Sequence, residues 1–205
     1  GTAMFGMFLM LTLYMQQVLG YSPMRTGVAY LAVAGTAIVW SALAAQLVTR
    51  IGVKPVLVVG MTALTAGLVY FTQVSVGGSY LGDLLPGFLL ISVGIGFSFV
   101  PISIAALAGV KDAEAGLASG LFNTSQQIGG ALGIAALSSI ATSTTSDEVQ
   151  SGTVLNLALT DGFQEAFIAG AGVALVGILV ALFVVSRRDL EQVPDALEPA
   201  FEQAA

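Results

Sequence analysis

Six long apolar runs fill most of this 205-residue chain, and every Lys and Arg falls outside them. The runs are Ala3–Leu19, Gly27–Val48, Pro55–Val74, Leu84–Leu107, Leu117–Ala141 and Ala166–Val185. Crossing a hydrocarbon core takes about 20 helical residues, and most of the runs are long enough. If the gaps alternate in side, Arg50, Lys54, Lys111, Arg187 and Arg188 collect on one side and only Arg25 on the other. The positive-inside rule produces such a split and makes the basic side cytoplasmic. The chain reads as an all-α, multi-pass membrane protein of six transmembrane helices with both ends in the cytoplasm.

Composition agrees. Hydrophobic residues make up 56% and charged residues 9%, and mean hydropathy is +0.93. A soluble domain carries roughly 25% charged residues. There is no Cys and no His. That excludes disulfides, thiol chemistry, His-ligated zinc or haem, and Ser-His catalysis. The net charge of −6 does not point to nucleic acid. No cofactor or metal site is expected, and no enzyme activity. The chain opens on Gly1 and enters an apolar run at once, so it is read as beginning inside a longer protein.

The gaps carry the turn signals. Gly20–Thr26 holds Pro23, and Thr49–Lys54 is a tight basic turn. Ser75–Asp83 carries Gly77-Gly78, and Ala108–Gly116 carries Lys111, Asp112 and Glu114. Thr142–Gly162 is expected as the longest loop, its apolar part Val154–Leu159 lying in the membrane interface. Asp161 with Gln164 fits an N-cap pair ahead of the last span. Every carboxylate is expected in a loop, at a helix end or in the tail. Residues 1–186 form the bundle and 187–205 an acidic cytoplasmic tail. In the fourth span, Gly94-Ile95-Gly96 and Pro101 leave two readings open, close packing with a harmless kink or a hinge.

The fifth span opens AGLASGLFNTSQQIGGALG, Ala115 to Gly133. At helical spacing Ser119, Asn123, Gln126, Gly130 and Gly133 share one stripe, and Gly116, Gly120 and Gln127 lie beside it. Amides there must face protein or water rather than lipid. They serve either as interhelical glue or as the lining of a polar pathway. Gly116, Gly120, Gly130 and Gly133 are expected at helix contacts.

The inner turn reads AQLVTRIGVK, Ala45 to Lys54. It resembles the G-x-L-x-D-R-x-G-[RK]-[RK] inner-loop signature of the major facilitator superfamily, with Leu47, Arg50, Gly52 and Lys54 matching. Ala45, Thr49 and Val53 depart from it. The segments GYSPMRTGVAYL (Gly20–Leu31), AGLASGLFNTSQQIGGALG and LTDGFQEAF (Leu159–Phe167) are similar to the 14-helix drug:proton antiporter family of that superfamily. Ala32 stands where members often have Pro.

That resemblance implies a C-terminal six-helix half-bundle whose partner is a missing N-terminal half. It implies alternating access around a midplane site, with protons and a small amphipathic substrate exchanged across a bacterial inner membrane. The pathway residues would be Asn123, Gln127 and Gln126, with Tyr14, Gln17 and Trp40 as neighbours, and the proton carrier would lie in the other half. A related transporter of a lipid, peptide or metabolite, and a non-transporting membrane subunit, remain alternatives. An intramembrane Ser protease is not supported: GLASG, Gly116–Gly120, has Leu117 where its G-x-S-G motif needs Gly, and no His could activate Ser119.

Overall fold

The computed structural model describes residues 1–183. The expected tail, with Arg187 and Arg188, lies outside the described residues. Helix α1 spans Thr2–Leu13 and continues through a wide π turn, Tyr14–Val18. There Leu19 N–H bonds the Tyr14 carbonyl at 3.2 Å, five residues back. Ser22 then caps α2 (Pro23–Ala29): its Oγ accepts from Arg25 N–H at 3.2 Å, and Pro23 takes the first helical position, where no N–H is needed. After a tight step at Tyr30, α3 runs Leu31–Ile51.

Gly52 alone joins α3 to α4 (Val53–Phe71) at φ +87°. A side chain would be strained in that backbone region, so glycine makes the one-residue reversal possible. A reciprocal cap opens the next helix. Asp83 Oδ2 accepts from Ser79 N–H at 2.7 Å, while Ser79 Oγ accepts from Gly82 N–H at 3.1 Å. A second π turn, Tyr80–Leu84, leads into α5 (Leu85–Leu107), which continues past Pro101. Then come α6 (Ala115–Gln150) and α7 (Leu155–Phe183).

Five segments are long and apolar enough to cross a membrane: Pro23–Ile51, Val53–Phe71, Tyr80–Leu107, Ala115–Gln150 and Leu155–Phe183. Thr2–Val18 is a shorter apolar helix. Arg50, Lys54 and Lys111 mark one end of the bundle, the basic end.

The expected long loop at Thr142–Gly162 is mostly helix. Only Ser151–Val154 separates α6 from α7. Ser and Thr favour turns over helix interiors, and that misleads a reading by composition. Tertiary pairing overrides it here. Thr145 Oγ1 donates to the Ala158 carbonyl at 3.2 Å, and Gly162 sits against Ala141, with no room for a Cβ. Asp161 and Gln164 are therefore inside α7 and not at its start. Gln164 Nε2 donates to the Val74 carbonyl at 2.8 Å. Asp161 and Glu165 correct the expectation that every carboxylate lies in a loop, at a helix end or in the tail; Val74, bonded by Gln164, lies in the α4–α5 connection.

Packing follows a crossed pattern. The first helix of each half packs on the middle helix of the other half: α1 on α6, and α5 on α3. Helices α4 and α7 close the back, with α4 also against α5 and α7 against α6. Phe8, Tyr30, Phe88, Phe71 and Phe167 run through the core in sequence, with ring centroids 5.3 to 5.8 Å apart. They join α1, the Tyr30 step, α5, α4 and α7. A smaller cluster at the basic end gathers Ala44, Val48, Val53, Val56 and Phe97.

Glycine sets the α3–α5–α4 spacing. A Cβ on Gly94 would stand 2.8 Å from Leu64 Cα, and one on Gly96 2.8 Å from Ser41 N. The two glycines thus seat α5 against α4 and α3 respectively, in the way small residues bring membrane helices together.

Candidate transport surface

Helix α6 is the least buried of the long helices. Of its 36 residues only Gly130, Gly133, Leu137 and Ala141 are buried. Those four face α1 and α7. A Cβ on Gly130 would meet the Phe5 ring at 2.9 Å, and one on Gly133 would run into the Thr2 backbone. Thr2 Oγ1 adds a hydrogen bond to the Gly129 carbonyl at 2.9 Å.

Gly116 and Gly120 do not share that contact. A Cβ at either meets nothing within 4 Å. Their expected place at a helix contact is not met by any helix among the described residues, because α1 begins alongside Gln126 and Gly130 and never reaches that end of α6.

The predicted pathway residues separate into distinct places. Asn123 and Gln127 are exposed on α6, and among the described residues neither makes a side-chain hydrogen bond. Gln126 turns aside, half-buried, into a cavity of about 260 Å³ bounded also by Thr2, Met61, Ser98 and Phe99. Gln17 is exposed at the far end of α1, on a larger cavity of about 400 Å³ between α1, α6 and α7. Trp40 lies on α3, edge-on to Phe97 at 6.0 Å, as a packing residue.

Tyr14 corrects its assignment as a pathway neighbour. It is fully buried, and its hydroxyl donates to the Ser75 carbonyl at 2.7 Å. It has no surface to offer a solute.

The inner-turn residues divide their work. Gly52 makes the reversal, and Leu47 packs beside the small core cluster. Arg50 stands exposed in the last turn of α3, where a cation meets the negative helix end. Lys54 reaches across to α7, donating from Nζ to the Leu182 carbonyl at 2.6 Å. Sequence reading missed that tie, both cavities and Ser98. The Ser98 hydroxyl is buried with no hydrogen-bond partner among the described residues, on the wall of the Gln126 cavity. A serine at helical spacing among apolar residues gives no signal of this kind.

Five helices long and apolar enough to cross a membrane, and a shorter apolar one, thus form one bundle with the polar face of α6 exposed. Residues 1–134 match the model of the Major Facilitator Superfamily. The chain belongs to that superfamily.

Its relatives include the puromycin resistance protein pur8 of Streptomyces alboniger, 36% identical over 89% of this chain and 37% of that protein. A multidrug resistance protein B homolog of Mycobacterium tuberculosis is 34% identical over 68% of the chain and 26% of its own length. The cephamycin export protein CmcT of Amycolatopsis lactamdurans is 34% identical over 71% and 30%. The chain thus spans between 26% and 37% of the length of these relatives. It is a multi-pass membrane protein of that superfamily.

Proposed function

We propose that this chain is the C-terminal six-helix half of a proton-coupled exporter of amphipathic compounds in a bacterial cytoplasmic membrane. The basic end faces the cytoplasm. A preceding six-helix half completes the carrier, and the two rock about a midplane cavity in alternating access.

The exposed face of α6 carries this reading. Asn123 and Gln127 stand exposed there, with no side-chain hydrogen bond among the described residues. In a spanning helix such amides need water or protein opposite them. A water-filled cavity shared with a second bundle supplies both. The relatives named for drug resistance or antibiotic export support the substrate class. The exposed face of α3, with Gly35, Ile38, Val39 and Ala42, gives the second half another surface to meet.

Among the described residues Asp83, Glu114, Asp147 and Glu148 lie at or beside helix ends, while Asp161 and Glu165 lie inside α7, in its half nearer the α6–α7 turn. The proton carrier is assigned to the other half. The test uses cells stripped of other pumps, expressing the chain joined to its preceding half. Dye export should collapse when an uncoupler dissipates the proton gradient. Export that survives in full would overturn proton coupling.

A further inference from the structure

We propose that the cavity of about 400 Å³ between α1, α6 and α7 is a second small-molecule site, one that takes uncharged amphipathic compounds on their way out. The exit assignment rests on the exporter reading above; the binding site itself does not.

The cavity has a built floor and an open rim. Met10, Ala141 and Phe163 form the floor and are buried to 0%, 7% and 3% exposure. Gln17, Thr142 and Ser146 stand exposed at the rim. The volume falls within the roughly 300–1,000 Å³ of ordinary ligand pockets.

Its chemistry selects against charge. Among the described residues no Asp, Glu, Lys or Arg lines it. An ion entering would lose water and find no counter-charge. Several polar groups remain for a neutral solute. Thr145 is committed to the Ala158 carbonyl, and Ser146 Oγ accepts from Gln150 Nε2 at 3.1 Å. Among the described residues Ser138, Thr142 and Gln17 make no side-chain hydrogen bond. An apolar floor below free hydroxyls and an amide fits a ring or short chain bearing uncharged hydrogen-bonding groups.

Its position follows the pathway face. Gln127, Ala131, Ile134, Ser138 and Thr142 follow one another at intervals of three or four residues, so they share a face of α6. Ser138 stands roughly 16 Å beyond Gln127 at 1.5 Å per residue, away from the basic end. A solute leaving Gln127 outward meets this cavity next. The wall is also fixed in advance, because Gly162 locks α7 onto α6 at Ala141.

The test measures binding without transport. The chain has no Cys, so Ser146→Cys gives one thiol at the rim. In lipid nanodiscs its alkylation rate is followed against 4-nitrophenyl β-D-glucoside, an uncharged aryl glycoside, and against tetraphenylphosphonium, a bulky cation. The glycoside should slow labelling saturably, and the cation should not. Adding Gln17→Ala should raise the half-protecting concentration about fivefold, the equivalent of one ordinary hydrogen bond. Thr142→Trp should abolish protection by filling the space, while Ser103→Ala near the basic end should leave it intact.

Both rim residues are exposed, and thermal unfolding checks that each variant is folded. Protection that never saturates (lipid partitioning), equal protection by the cation, or indifference to both Gln17→Ala and Thr142→Trp would overturn the site. Saturable binding in a protein that exports nothing would overturn the exporter reading and leave the site standing. Proton-driven export without this binding would do the reverse.

Discussion

Lys54 and Leu182 tie α4 to α7. The Lys54 ammonium, one residue into α4, donates to the Leu182 carbonyl of α7 at 2.6 Å. The final basic position of the inner-turn signature thus acts within its own half-bundle, clamping α4 to α7.

Removing that clamp should destabilise the bundle without unfolding it. Lys54→Met keeps most of the apolar stem and should cost about 0.5–1.5 kcal/mol, the usual net worth of one hydrogen bond. Lys54→Arg should recover most of the loss. Thermal unfolding in one detergent, compared across the three proteins, checks both outcomes.

Glycines in closed contacts should behave differently from glycines in open space. Gly94→Leu drives a side chain into the α4 backbone at Leu64, and Gly133→Leu drives one into the α1 backbone at Thr2. Each should cost about 1–3 kcal/mol or more through overpacking. Gly120→Leu meets nothing in this chain and should leave its thermal stability nearly unchanged. In the joined two-half protein the same change should lower stability, since α6 then has a bundle against that face. Equal losses from all three changes in the chain alone would contradict the packing described here.

The end opposite the basic one is tied at Val74 and Ser75 by Gln164 and Tyr14. Tyr14→Phe removes one hydroxyl and leaves the Ser75 carbonyl without that partner. The expected cost is about 1 kcal/mol. Amide exchange in Thr72–Ser79 should quicken, while exchange in the core of α4 should not. Mass-spectrometric hydrogen exchange separates these two segments.

Orientation can be read with single thiols. Gly77 and Ser146 are exposed at the end opposite Arg50 and Lys111. Gly77→Cys and Ser146→Cys should react with an impermeant reagent in whole cells, and Thr49→Cys only after lysis. Gly52 is a poor reporter, because its φ of +87° strains any side chain placed there. Labelling of Thr49→Cys in intact cells would reverse the assignment.

Helix class was legible because lipid leaves little choice: long apolar runs must be helical. The α6–α7 hairpin was not legible. Its Ser and Thr residues signal a loop by local preference, and only the Gly162–Ala141 approach and the Thr145 bond make it helix. The polar stripe of α6 was visible as a stripe. Which side met a neighbour was not, because Gly130 and Gly120 look alike in sequence and differ only in what stands opposite. Tyr14 misled for a similar reason: its partner, Ser75, is 61 residues away.

The most direct test of the central claim is a substrate profile of the joined two-half transporter carrying Asn123→Ala or Gln127→Ala. Susceptibility to a panel of amphipathic drugs is measured and normalised to transporter in the membrane. An amide in cavity water has no buried partner to strand, so protein amount should hold while resistance changes unevenly from drug to drug. A uniform fall that tracks a loss of protein would mean that these amides are packing contacts and that the α6 face is not the pathway.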